Sequence, residues 1–350
     1  MTHSRLSHVA ILPLMFAIAS CGTSKVSEQP TKKQVEPSTI DFSQPHVASA
    51  LRELAIRIIE ESASAENPSI RANAIEAAGK SALRFRSLIE RGLTDPNLGV
   101  RAVAAMTVGK KRLTESAPRC RAMLDDGAIQ CRIAAIFALS ANGIEVDPTP
   151  LADALLTDPS LRVRAQSAFI LGELGNASSV PLLRQSLAAT PASADPAQVK
   201  ILHLQIAEAM IKLGDDEQRT GVRAALYPSR AEELEAAALA AQILGQVRDR
   251  KSISQMVYLS EFKDDTGRQH PAEVRLAVAD SLALMDVRGG AFIVDTYVNS
   301  SEPAIRAQSA HAYGTIGDNA SLNRLAALLG DSDPMVRIAA ADAVMRASAR

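Results

Sequence analysis

The feature that most restricts what this chain can fold into is a repeat. A short turn, often with Pro, leads into an aliphatic residue, a basic residue and an alanine-rich run, as in VRAVAAMTVG at 100, CRIAAIFALS at 131, PAEVRLAVADSLALM at 271 and DPMVRIAAADAVM at 333. Aligned on Arg71, Arg101, Arg132, Arg164, Lys200, Glu235, Arg275, Arg306 and Arg337, nine units recur at intervals of 30 to 40 residues. A period of that length marks a stack of similar supersecondary units.

Between markers lies a second amphipathic segment. Leu322, Leu325, Leu328 and Leu329 recur at helical spacing, as do Leu151, Leu155 and Leu156, so each unit reads as helix, turn, helix. Pro is tolerated at the start of the second helix, whose first N–H needs no intrahelical partner, and Asp158 or Asp333 just ahead of it can cap the exposed amides. The 61 alanines, against 7 Phe, 4 Tyr and no Trp, suit helices that approach closely and are poor material for sheets. A two-helix unit cannot bury its own apolar face, and stacking neighbours into one long core solves this. The expected fold is all-α, an alpha-alpha superhelix of about nine helix pairs over residues 47–350. Gly79, Gly109, Gly172, Gly214, Gly245 and Gly314 near the ends of the inner helices are expected to let the chain turn back.

These units resemble HEAT repeats of the short bacterial type, which also occur in phycobilisome-lyase-like proteins. The resemblance implies that the marker arginines form structural ion pairs with acids of the preceding turns, here Asp95, Asp126, Asp158 and Asp333. It implies no cofactor, and no lyase motif can be carried over residue by residue.

The amino terminus is of another kind. Arg5 precedes a short apolar run from Val9 to Ala19, too short for a membrane-spanning helix, and residues 1–20 read as an export signal. Ile18-Ala19-Ser20-Cys21 resembles the lipobox of bacterial lipoproteins, which implies a lipid on Cys21 and a protein anchored in the cell envelope. Gly22 in place of Asp favours the outer membrane in an organism with two. Residues 21–46, rich in Ser, Thr, Pro, Lys and Gln, read as the lipidated cysteine and a disordered tether.

Composition argues against several functions. With 38 basic and 39 acidic residues the chain carries no footprint for nucleic acid. Six His and three Cys, widely spaced, offer no metal site, and neither a phosphate loop nor a nucleophile elbow is present. The reading is therefore a scaffold that binds an unknown envelope protein or peptide through the concave face of the stack, not an enzyme. A structural accessory of the envelope and a lyase-like enzyme are the alternatives.

Two finer expectations concern residues. If the third, fourth and seventh positions after each marker face the core, positions one, two and five face the concave side. In the middle repeats these are Val103, Met106, Ile133, Phe137, Phe169, Ile201 and Leu202, either an exposed apolar strip for a guest segment or side chains that close the inner wall. Cys120 and Cys131 point into one interhelical core, where they are either bridged or buried free thiols.

Overall fold

The computed structural model describes residues 44–189 and 194–347. The export signal, Cys21 and all but the last positions of the tether lie outside them. In chain order the outer and inner members of successive pairs are α1 (Pro45–Ser62) and α2 (Pro68–Ala78), α3 (Arg86–Gly92) and α4 (Leu98–Lys110), then a 3₁₀ segment (Ala117–Asp125) and α5 (Ile129–Ala141). They continue as α6 (Thr149–Thr157) and α7 (Leu161–Leu174), α8 (Val180–Ala188) and α9 (Pro196–Lys212), α10 (Gln218–Ala224) and α11 (Leu234–Gln246). The last three are α12 (Ile253–Glu261) and α13 (Ala272–Leu284), α14 (Ala291–Tyr297) and α15 (Pro303–Ile316), α16 (Asn319–Leu328) and α17 (Pro334–Ala347). Among the described residues the one extended pairing is an isolated bridge between Lys263 and Gln269.

The turns behave as the sequence predicts. Asn67 and Asn97 accept from the amides of Ser69 and Gly99, and Asp333 from Met335, so the first N–H groups of α2, α4 and α17 are satisfied by a side chain, whereas Asp158 accepts from Ser160, which precedes α7, and leaves that helix without a side-chain cap. Prolines stand at the first turn of α2, α9, α15 and α17.

Each inner helix packs on the next, α2 on α4, α4 on α5 and so on to α15 on α17. The last then packs on the first. Helix α17 lies against α1 and α2, with Asn73 Nδ2 3.1 Å from Met335 Sδ and Lys80 Nζ 3.9 Å from Asp342 Oδ1. Buried side chains from both ends of the described chain, such as Ile56, Ile59, Ile338 and Val344, belong to one apolar cluster. The nine helix pairs thus close into a ring, and the expected concave groove is its inner wall.

Burial fixes the register. In α2 and α17 the residues one, three, four, six and seven after the marker are buried, Ala72, Ala74, Ile75, Ala77 and Ala78 in one and Ile338, Ala340, Ala341, Ala343 and Val344 in the other. Position one is therefore core, not concave surface. The same pattern in α9 (Leu204, Ile206, Ala207, Ala209, Met210) and α11 (Ala238, Ala240, Ala241, Ile243, Leu244) sets the markers there at His203 and Ala237. The basic-residue alignment on Lys200 and the Glu235 substitute was out by three and two positions, because α9 begins a turn early and neither helix has Arg at the marker.

The glycines also have another use than expected. A Cβ on Gly172 would stand 2.9 Å from Ala209 Cα, and one on Gly314 2.9 Å from Ala343 Cα, so these positions permit inner helices to touch backbone to backbone. Gly214, at φ +96°, is the one of the six that does turn the chain.

Candidate functional site

The marker arginines are structural, but their acids lie ahead rather than behind. Arg101 donates from Nη1 to the carbonyls of Asp95 and Pro96 in its own turn, and from Nε and Nη2 to the Asp126 carboxylate of the next turn, at 2.7 and 3.0 Å. Arg71 bridges Ala65 and Glu66 carbonyls to Asp95 in the same way, and Arg306 bridges Ser300 and Ser301 to Asp331. Hydrogen bonding from Arg101 holds the Asp126 carboxyl below its ordinary range, as Arg306 does for Asp331. Neither Asp158 nor Asp333 serves as such a partner: Asp333 caps α17, and Asp158 accepts from the Ser160 amide within its own turn. Arg164, without a carboxylate, is buried and donates to the carbonyls of Leu155, Ser186 and Ala189.

The expected apolar strip is not exposed. Val103, Met106, Ile133, Phe137 and Leu202 are each at most 2% exposed, so none of them offers an apolar surface to a guest. Phe137 fills a slot left by Gly109, where a Cβ would meet its ring at 2.6 Å. Ile133, at position one, lies between helices. Ile201 is half-buried, and with Leu202 it falls before the true marker of its repeat, which leaves Gln205, Glu208 and Lys212 at the wall positions. Phe169 is half-buried under two ammonium groups, Lys110 Nζ at 4.8 Å and Lys212 Nζ at 4.9 Å from the ring centroid.

What the inner wall presents is charge, at positions five and nine after the corrected markers. Lys212 pairs with Glu173 and Glu208 at 2.7 Å each. Burial lowers the Lys110 ammonium to about 8 and raises the neighbouring Glu76 carboxyl to about 7. Arg346 donates to Nδ1 of His311 at 3.0 Å, so the Nε2–H of that imidazole faces Asp280 at 3.6 Å, and Thr315 donates to Asp280 at 2.6 Å. Five acids (Glu76, Glu173, Glu208, Asp280 and Asp342) meet four bases at these positions (Lys80, Lys110, Lys212 and Arg346), with Lys111 one residue further on. The wall is close to neutral and occupied with itself. The sequence signal for it is a pair of opposite charges at positions five and nine of three inner helices, Glu76 and Lys80, Glu208 and Lys212, and Asp342 and Arg346, the second visible only in the corrected register.

Cys120 and Cys131 are buried free thiols, and Cys131 Sγ donates to the Leu98 carbonyl at 3.3 Å. Burial pushes their thiols up to about 12 and about 11, which keeps them protonated and inert. Among the described residues no group of three or more His, Cys, Asp or Glu is placed to hold a metal ion, and no helix is long and apolar enough to cross a membrane.

One surface stands out on the rim. Tyr227 follows α10, Tyr258 is on α12, Phe262 follows α12, and His270 ends the loop between α12 and α13; the two tyrosines are 51% and 57% exposed. Ring centroids are 6.4 Å apart from Tyr227 to Tyr258, 6.1 Å from Tyr258 to Phe262, and 4.7 Å in the stacked pair Phe262 and His270. The loop is ordered by Asp264, whose carboxylate accepts from the amides of Thr266 and Arg268 at 2.9 Å and from the Thr266 hydroxyl at 2.6 Å. The sequence marks residues 261–271, with Phe262 and His270, as an insertion into the period, either a binding loop or a harmless one, but passes over Tyr227 and Tyr258, which sit on a turn and an outer helix.

Residues 290–348 match the family model of HEAT repeats. No curated protein matches the sequence. Among solved structures the chain is similar to human deoxyhypusine hydroxylase, at 16% identity over 88% of this chain and 100% of that one with a TM-score of 0.37. It is similar also to the complex of CpcE and CpcF of phycocyanin lyase from a Nostoc species, at 18% identity over 72% and 91% with a TM-score of 0.37. The Kap95:Nup1 complex gives 14% identity over 90% of this chain and 49% of that one, with a TM-score of 0.38.

Proposed function

We propose that the protein is a non-enzymatic binding scaffold of the bacterial cell envelope, held to a membrane by lipid on Cys21 and engaging a protein partner on the rim of its ring. The observation that carries this reading is the aromatic row of exposed Tyr227 and Tyr258 and half-buried Phe262 in a chain with only 7 Phe and 4 Tyr, while the charged groups of the inner wall are turned toward one another. Exposed rings in a row are the kind of surface that gains most from being covered by a partner. The anchor rests on the lipobox-like Ile18-Ala19-Ser20-Cys21, and the outer membrane is its expected home in a two-membrane organism.

Two measurements test this. Fatty-acid labelling is expected on the parent and absent from Cys21→Ser; label on the variant overturns the anchor. Detergent extraction of the lipidated protein is expected to bring one stoichiometric partner with it, and recovery of the protein alone under mild conditions overturns the scaffold.

A further inference from the structure

The aromatic rim also defines the chemistry of what covers it. Around the rings, residues 227–233 and 261–270 carry Arg230, Lys263 and Arg268 against Glu232, Glu233, Glu261, Asp264 and Asp265, an excess of two negative charges. Some of these are already engaged: Arg268 with Asp264 at 3.1 Å, and Glu233 with Lys200 at 2.9 Å and the Ser229 amide at 2.7 Å. Glu232, Glu261 and Asp265 are exposed and have no ion pair among the described residues, nor do the exposed Arg230 and Lys263, so the unpaired groups leave an excess of one negative charge. Asp264 is tied into its turn so firmly, by the Thr266 hydroxyl first and then the Arg268 and Thr266 amides, that its carboxyl is held down at about 2. The loop that carries Asp265 is thus fixed in place beside the rings.

An apolar guest laid on the rings would strip water from these carboxylates and return nothing. An acidic guest, or an anionic lipid surface, meets the negative excess. A guanidinium or ammonium does neither, since it is attracted both by the face of a tyrosine ring and by a carboxylate at its edge. Successive rings are inclined to one another, by 40° between Tyr227 and Tyr258 and by 64° between Tyr258 and Phe262. Burial lowers the His270 imidazole, so the ring stacked on Phe262 stays neutral near pH 7 and adds no repulsion.

We infer that the rim formed by Tyr227, Tyr258, Phe262 and the 263–269 loop docks an extended segment of a partner protein that carries Arg or Lys. This rests on the reading of the protein as a scaffold and specifies the chemistry of its partner. Arg and Lys side chains of the segment lie over the tyrosine faces, and Glu232, Glu261 and Asp265 take their charge.

The test uses the full chain and two fluorescein-labelled peptides, one alternating Arg with Ala and one alternating Glu with Ala, followed by anisotropy. The Arg peptide is expected to bind saturably and to weaken as salt rises, while the Glu peptide stays free. Tyr258→Ala, and Glu261→Gln combined with Asp265→Asn, are expected to weaken binding by about tenfold or more, whereas Tyr258→Phe, which keeps the ring face, retains it. Melting curves of each variant establish that the ring is intact. No binding, equal binding of both peptides, or binding untouched by the two disruptive variants overturns the proposal. A dimer of the parent that Tyr258→Ala dissociates would put a second copy on the rim and overturn it too. Extraction from membranes separates this from the scaffold reading: the same partner recovered with parent and Tyr258→Ala defeats the rim alone, and no partner with either defeats the scaffold.

Discussion

Arg101 and Asp126 are joined by two hydrogen bonds at 21% and 11% side-chain exposure, and the same guanidinium closes its own turn. Arg101→Ala leaves a mostly buried carboxylate and two carbonyls without their donor, and is expected to cost about 1–3 kcal/mol in denaturant unfolding. Adding Asp126→Ala should recover part of that loss. Because folded Asp126 and Asp331 lie below their ordinary value, their contribution is present above about pH 3.9 and disappears as pH falls through the folded value. Glu76 works in the opposite sense. Its folded value is raised from 4.5 to about 7, so the folded state holds the extra proton and stability falls as pH rises between those values. Glu76→Gln is expected to flatten the decline in urea midpoint between pH 5 and 7; an unchanged slope would show that Glu76 is ionised in the fold. The arginines were legible from their spacing, whereas the identity of their acids depended on which neighbouring turn comes within reach.

Single helices show where local pattern suffices and where it fails. Seven of the nine markers are legible in the sequence because an Arg stands at a fixed distance from the turn. In α9 and α11 the turn is displaced and the marker is His203 or Ala237, so the pattern pointed to the wrong face and gave Ile201 and Leu202 in place of Glu208 and Lys212. Only packing against a neighbour reveals such a shift. Two glycines in helices, one in close contact and one in the open, give a prediction with opposite signs. Gly172 touches the Ala209 backbone, and Gly172→Ala is expected to destabilise by about 1–3 kcal/mol through overpacking. Gly221 is exposed in α10, where a Cβ would have nothing within 4 Å, and Gly221→Ala should stabilise by about 0.5–1 kcal/mol. Thermal unfolding of the two variants side by side checks both.

At the scale of the molecule, the repeat announces a stack but not its curvature. Curvature is the sum of small rotations between neighbours, each set by how closely two inner helices approach, and no single residue encodes the total. Closure is held where α17 meets α1 and α2, and Ile59 on α1 is fully buried in the apolar cluster they share. Ile59→Asp places an unpaired charge in that interior and is expected to open the ring, read as a larger radius of gyration by small-angle scattering with helix content kept. An unchanged radius would mean that α1 is dispensable for closure. The contact of α17 with α1 and α2 joins segments separated by nearly the whole described chain, whereas the other inner helices meet their sequence neighbours. Pairings so distant along the chain are slow to find, since the loop between them must first be closed. Repeats can therefore assemble from any point outward, and the seam forms last. Residues in it contribute little to the folding transition state, so weakening them should leave the rate of folding alone and speed the rate at which the protein comes apart.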